Sequence, residues 1–141
     1  MRLLKPPESL YGCLLGAFVL TGCAVEAGLS TSPPPPDITG SLTVRWTIAE
    51  TTSAVQCAYY GVDSLSLVVY DEAGSPYLKT NAPCEAFSVT IDLSPGVYHA
   101  DATLVDANQR PRSLTLPIND LRVTTGTDLA VDIGFPARSF L

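Results

Sequence analysis

Few side chains in this 141-residue sequence could do chemistry: one histidine, four cysteines and 14 acidic residues. A Ser-His-Asp site would need His99, an aspartate such as Asp101 and a serine brought from elsewhere. Asp101 lies two residues on, so an extended strand would put both on one face. Yet no Gly-x-Ser-x-Gly elbow is present to expose a nucleophile. His99 falls between Tyr98 and Ala100, out of phase with the apolar residues, as a solvent-facing strand residue would. The acidic residues stand singly apart from Asp71-Glu72, without an EF-hand loop or repeated Asp-x-Asp for calcium. Cys57 and Cys84 match no zinc spacing, and one histidine is too few to complete a site. No Gly-rich loop leads into a helix that would cradle phosphate. No catalytic residue, metal ligand or cofactor site is assigned on these grounds.

The balance of residues narrows the classes further. Hydrophobic residues make up 46% and charged ones 16%, enough to bury a core and too apolar for a disordered chain. A net charge of -6, with its few arginines scattered, repels phosphate backbones and excludes a nucleic-acid partner.

The N-terminus carries an address. Arg2 and Lys5 precede an eleven-residue apolar run, Leu10–Leu20, the length of a signal-peptide hydrophobic region. The uncharged stretch around it is short for a membrane span and contains Gly12 and Gly16. Leu20-Thr21-Gly22-Cys23 follows, and it resembles the lipobox of bacterial lipoproteins: a branched apolar residue, two small residues, then cysteine. The resemblance implies cleavage before Cys23 and thioether acylation of its thiol. At about 0.8 kcal/mol per buried methylene, two or three acyl chains would hold the protein on the membrane. Cys13 would leave with residues 1–22. The remaining chain has 6 basic and 13 acidic residues. Its sign disfavours electrostatic adhesion to anionic lipid, so the anchor is the membrane partner. Ala24 is not the aspartate that resembles an inner-membrane retention signal, so the outer membrane of a Gram-negative envelope is expected.

Residues 23–40 read as lipidated cysteine and linker. Pro33–Pro36 stiffen it as polyproline II, and its full reach is roughly 50 Å at about 3.3 Å per residue. From residue 41 the period is two. Leu42, Val44, Trp46 and Ile48 alternate with polar residues. So do Leu65, Leu67 and Val69; Phe87, Val89, Ile91 and Leu93; and Tyr98, Ala100, Ala102 and Leu104. Leu114, Leu116 and Ile118 continue the pattern, and Leu129, Val131, Ile133 and Phe135 end it. No helical periodicity appears after residue 40. Six or seven short strands over about 100 residues predict an all-β, antiparallel β-sandwich over 41–141, with a small closed barrel as the alternative.

Leu93-Ser94-Pro95-Gly96-Val97-Tyr98 sharpens this. It resembles the Leu-x-Pro-Gly-x-Tyr corner of immunoglobulin-like and transthyretin-like extracellular modules, where the Tyr hydroxyl bonds back to nearby backbone. That likeness implies fold and leaves function open.

In an exported domain, Cys57 and Cys84 read as a disulfide rather than a redox pair, which would stand as Cys-x-x-Cys. Tyr59, Tyr60 and Tyr77 flank the proposed staple and form the candidate binding surface, since tyrosines on a rigid loop suit protein or glycan contact. The expectation is a membrane-anchored envelope lipoprotein that binds or builds without catalysis, its partner an envelope protein or a glycan. The alternative is a small envelope hydrolase using His99, and loss of activity on changing His99 would separate the two.

Overall fold

A computed structural model of the chain describes residues 38–141. The signal segment 1–22, Cys23 and the proline-rich part of the linker lie outside the described residues. Seven strands follow in order: β1 (Gly40–Ile48), β2 (Ser64–Tyr70), β3 (Pro76–Pro83), β4 (Ser88–Leu93), β5 (Gly96–Val105), β6 (Leu116–Val123) and β7 (Asp128–Phe135). They form two open sheets, ordered β4-β1-β7 and β3-β2-β5-β6, as a sandwich and not a closed barrel. Every pairing is antiparallel except β1 with β7, which run parallel.

The period of two sets which side chains meet between the sheets. Leu42, Val44, Trp46 and Ile48 from β1 face Leu65, Leu67 and Val69 from β2 and Ala100, Ala102 and Leu104 from β5, all buried. Their polar alternates lie on the outer face. There Thr43 Oγ1 is 2.8 Å from Thr90 Oγ1, and Arg45 grips Asp132 through Nε and Nη2 at 2.7 and 2.8 Å. That exposed pair orders a cross-strand contact and contributes little stability.

Gly40 begins β1 one residue before the expected boundary, for a steric reason. A β-carbon there would collide with the Thr124 carbonyl and the Val123 side chain, so the chain enters the sandwich only as glycine.

Two elements depart from expectation. β3 was not among the predicted runs: it is an edge strand in which only Ala82 is buried, with proline at each end. Those prolines and Lys79 discourage further strand pairing at that edge. A six-residue helix, α1 (Ala54–Tyr59), also occurs where no helix was expected. Leu114, expected in a strand, precedes β6 and is exposed. Within β6, Asn119 and Asp120 together oppose His99, since Ile118 pairs Ala100 and Leu121 pairs Tyr98. Asp120 takes φ 56° at this bulge. The extra residue turns Leu121 and Val123 inward.

The corner before β5 forms as the resemblance implies. Tyr98 Oη donates to the Ser94 carbonyl at 2.8 Å. A β-carbon on Gly96 would stand 3.3 Å from the Tyr98 ring, so the glycine makes room for the ring that closes the corner. Burial, and Tyr77 beside it, push the Tyr98 phenol up, which keeps it a donor. Tyr98→Phe should therefore destabilise the domain by about 1 kcal/mol, read as a fall of roughly 5 °C in thermal melting. An unchanged melting curve would mean water replaces the bond at no cost.

Candidate functional site

The sandwich has two ends, and the chain enters at one of them. Gly40 pairs with Leu93 at the entry end. Eight residues along β1, roughly 26 Å at about 3.3 Å per residue, Ile48 reaches the far end and leads into α1. There Cys57 of α1 is joined to Cys84, which opens a 3-10 turn at Cys84–Ala86. Both cysteines are buried, with α-carbons 6.1 Å apart. The expected staple is present, and it explains the unexpected helix. Ser53, its N-cap residue, makes no side-chain cap bond. Six residues cannot sustain a helix on propensity alone, so tertiary contacts and the disulfide hold it.

Tyr59 and Tyr60 end that helix. Tyr60 stacks on Phe140 with ring centroids 3.7 Å apart, and Tyr59 meets Tyr60 edge-on at 4.8 Å. Arg112 Nε donates to the Tyr60 carbonyl at 3.1 Å. Tyr60 is thus a packing residue, whereas Tyr59 is 77% exposed. Tyr77 lies elsewhere. It stands at the start of β3, roughly 20 Å along the strand from the staple. It packs edge-on against Tyr98 at 5.2 Å, and its Oη donates to Ser94 Oγ at 3.4 Å. The structure brings Tyr59 and Tyr60 together at the far end and leaves Tyr77 at the entry end.

Beside the staple, the β2–β3 edge and the loop after β5 border an open polar depression lined by Asp63, Ser64, Asn81, Ala82, Pro83 and Gln109. Asn81 Nδ2 donates to Gln109 Oε1 at 2.9 Å. Gln109 is held there by its loop: Asp106 Oδ1 accepts from the Asn108 and Arg110 amides at 2.8 and 3.0 Å. The Arg110 amide, then that of Asn108, holds the Asp106 carboxyl below its usual range. The sequence marks this loop as a turn, but nothing in it announces that Gln109 meets Asn81.

His99 lies on the outer face of β5, half-buried, stacked on Tyr70 with centroids 5.0 Å apart and planes 9° from parallel. Among the described residues no serine, threonine or cysteine is hydrogen-bonded to it, and none joins it to Asp101. The described residues also contain no cluster of three or more His, Cys, Asp or Glu placed for a metal. No described helix is long and apolar enough to cross a membrane.

These features define an all-β, disulfide-stapled sandwich domain. No protein-family model and no curated protein matches the sequence. Among solved structures, it is similar to a leucine-rich repeat protein from Bacteroides thetaiotaomicron, at 16% identity and TM-score 0.48, over 71% of this chain and 12% of that one. It is also similar to a candidate polysaccharide-binding protein from the same organism, at 12% identity and TM-score 0.42, over 66% of this chain and 46% of that one. The chain spans less than half the length of either. Neither likeness bears on what this chain binds.

Proposed function

We propose that this chain is a lipid-anchored envelope protein, held on the outer membrane by acylated Cys23, whose sandwich binds an envelope partner without catalysis. The observation that carries the reading is polarity along β1. The linker behind the lipobox enters at Gly40, while Tyr59, the staple and the polar depression occupy the opposite end. An anchor attached at the first end leaves the second end free to meet a partner. The partner is an envelope protein or a glycan. Against the hydrolase alternative, no serine, threonine or cysteine among the described residues is hydrogen-bonded to His99.

Cells producing the protein and fed an alkyne-tagged palmitate test the anchor. The parent chain should incorporate label, and Cys23→Ala should incorporate none and persist as uncleaved precursor. Palmitate incorporation into that variant would overturn the lipoprotein reading. A photo-crosslinker placed at Tyr59 should capture an envelope component that one placed at Gly126, at the entry end, does not. Equal capture from both ends would remove the case for a presented far end.

A further inference from the structure

An edge strand turns backbone groups outward that another strand can take up, and proteins usually guard against it. β3 has its prolines and Lys79, β6 has Pro117 and the bulge at Asn119-Asp120, and β4 is the shortest strand. β7 has no such guard. Its eight residues contain no proline, lysine or bulge, and they pair in unbroken register with β1 alone. The phase of its backbone follows from its two ends. The Thr127 and Phe135 carbonyls accept from the Ser41 and Ala49 amides, each at 2.9 Å, so odd-numbered residues face β1. Asp128, Ala130, Asp132 and Gly134 therefore turn their N–H and C=O groups outward, unpaired among the described residues.

Charge at an edge deters pairing, but both aspartates are engaged within their own sheet. Asp128 Oδ1 accepts from Ser41 Oγ and Thr43 Oγ1 at 2.8 and 2.9 Å, and Arg45 holds Asp132. The inward face of the strand is also unfinished. Leu129, Val131 and Ile133 point between the sheets yet stay half-buried, whereas Leu42, Val44 and Trp46 beside them are at most 1% exposed. Apolar side chains of a strand laid along β7 would cover them and extend the core.

β7 is its own complement. Two copies related by a twofold axis at Val131 pair antiparallel, with Val131 against Val131 and Leu129 against Ile133. Ala130 then meets Asp132, and Asp128 meets Gly134, so each aspartate faces an uncharged residue. These outward-turned pairs are the ones that exchange both backbone bonds in an antiparallel ladder. Other registers fail. A slip of one residue sets core residues against solvent-facing ones. A slip of two brings Asp132 against Asp132, or Asp128 against Asp132, where like charges repel.

We propose that this chain pairs with a second copy of itself through β7, joining two three-stranded sheets into one. The two Gly40 residues then stand at opposite ends of the joined strands. A linker reach of roughly 50 Å exceeds the roughly 26 Å length of β1, so both anchors can meet one bilayer.

Light scattering of the full chain, extracted in mild detergent and followed through dilution, should show a dimer. Ala130→Pro removes an outward N–H and leaves the bonds to β1 intact, so it should raise the dissociation constant at least about tenfold. Val131→Cys, oxidised in the envelope, should form a reducible dimer, because the axis sets those α-carbons about 4.5 Å apart. Ala130→Cys probes a slipped register and Thr90→Cys the β4 edge, and both should stay uncrosslinked. A monomeric chain overturns the proposal, as does a dimer indifferent to Ala130→Pro or one crosslinked through Thr90→Cys instead of Val131→Cys. If Ala130→Pro fails to fold, Val131→Cys decides alone, and absence of its crosslink overturns the pairing. Palmitate labelling and capture at Tyr59 are read independently, so the anchored-binder reading stands or falls on its own.

Discussion

Breaking the Cys57–Cys84 bond should lower the melting temperature of this domain by about 15 °C. Closing a loop of about 28 residues restricts the unfolded chain by an amount worth about 3.5 kcal/mol, and each kcal/mol moves melting by roughly 4–8 °C in a domain of this size. The effect is large because natural domains hold only about 5–15 kcal/mol in reserve. It should also be uneven. The bond ties α1 to the turn at Cys84–Ala86, and the Cys84 amide donates to the Asp63 carbonyl at 2.9 Å. Amide protons of α1 and of Cys84 should therefore exchange faster in reduced protein, while those of β1, β2 and β5 keep most of their protection. Calorimetry with and without reductant, and on a Cys57→Ala, Cys84→Ala double variant, measures the shift. A shift below about 3 °C in both would mean that packing around α1 holds this end unaided.

What the sequence reveals of this end, and what it hides, follows from how each feature is held. β1, β2 and β5 are central strands with one wholly buried face, so Leu42–Ile48, Leu65–Val69 and Tyr98–Leu104 write their pairing into the residue order. The staple is legible by count, since Cys57 and Cys84 are the cysteines remaining beyond Cys23. The Tyr98 corner is legible because Pro95 and Gly96 are needed to build it. β3 leaves no such trace: an edge strand buries little, and Lys79 and Asn81 point to water. α1 is too short for a period, and contacts with residues far along the chain stabilise it. The bulge at Asn119-Asp120 breaks the phase of β6, so alternation read forward from Leu116 cannot place Leu121. The polar depression is the most deeply hidden feature. Asp63, Ser64, Asn81 and Gln109 come from three segments, and only the β2–β3 register and the turn at Asp106 bring them together. Tyrosine content directs attention to Tyr77, but the length of β3 carries that residue to the other end.

Trp46→Ala should cost about 3–5 kcal/mol, the range for removing a large aromatic from a core that cannot fully collapse. Trp46 is among the largest wholly buried side chains, and it supports the stapled end directly. Its amide donates to the Phe87 carbonyl at 3.1 Å, and its ring lies 6.2 Å from that of Phe87, tilted by 42°. Phe87 takes φ 50° directly after the turn that Cys84 opens. The strained residue is thus held between the indole and the turn, where its amide donates to the Cys84 carbonyl at 3.3 Å. The indole carries a cost of its own, because Nε1 is buried without a partner among the described residues. Trp46→Phe removes that unpaired N–H along with part of the ring. Its loss should therefore be less than half that of Trp46→Ala. The two supports of Phe87 should also be coupled. In the reduced protein the turn is already loosened, so Trp46→Ala should cost at least about 0.5 kcal/mol less than in the oxidised protein, as expected for groups sharing one partner. Urea unfolding of parent, Trp46→Phe and Trp46→Ala, each oxidised and reduced, supplies the whole cycle. Equal losses in both redox states would show that the indole stabilises the sheets alone, with the staple resting on other contacts.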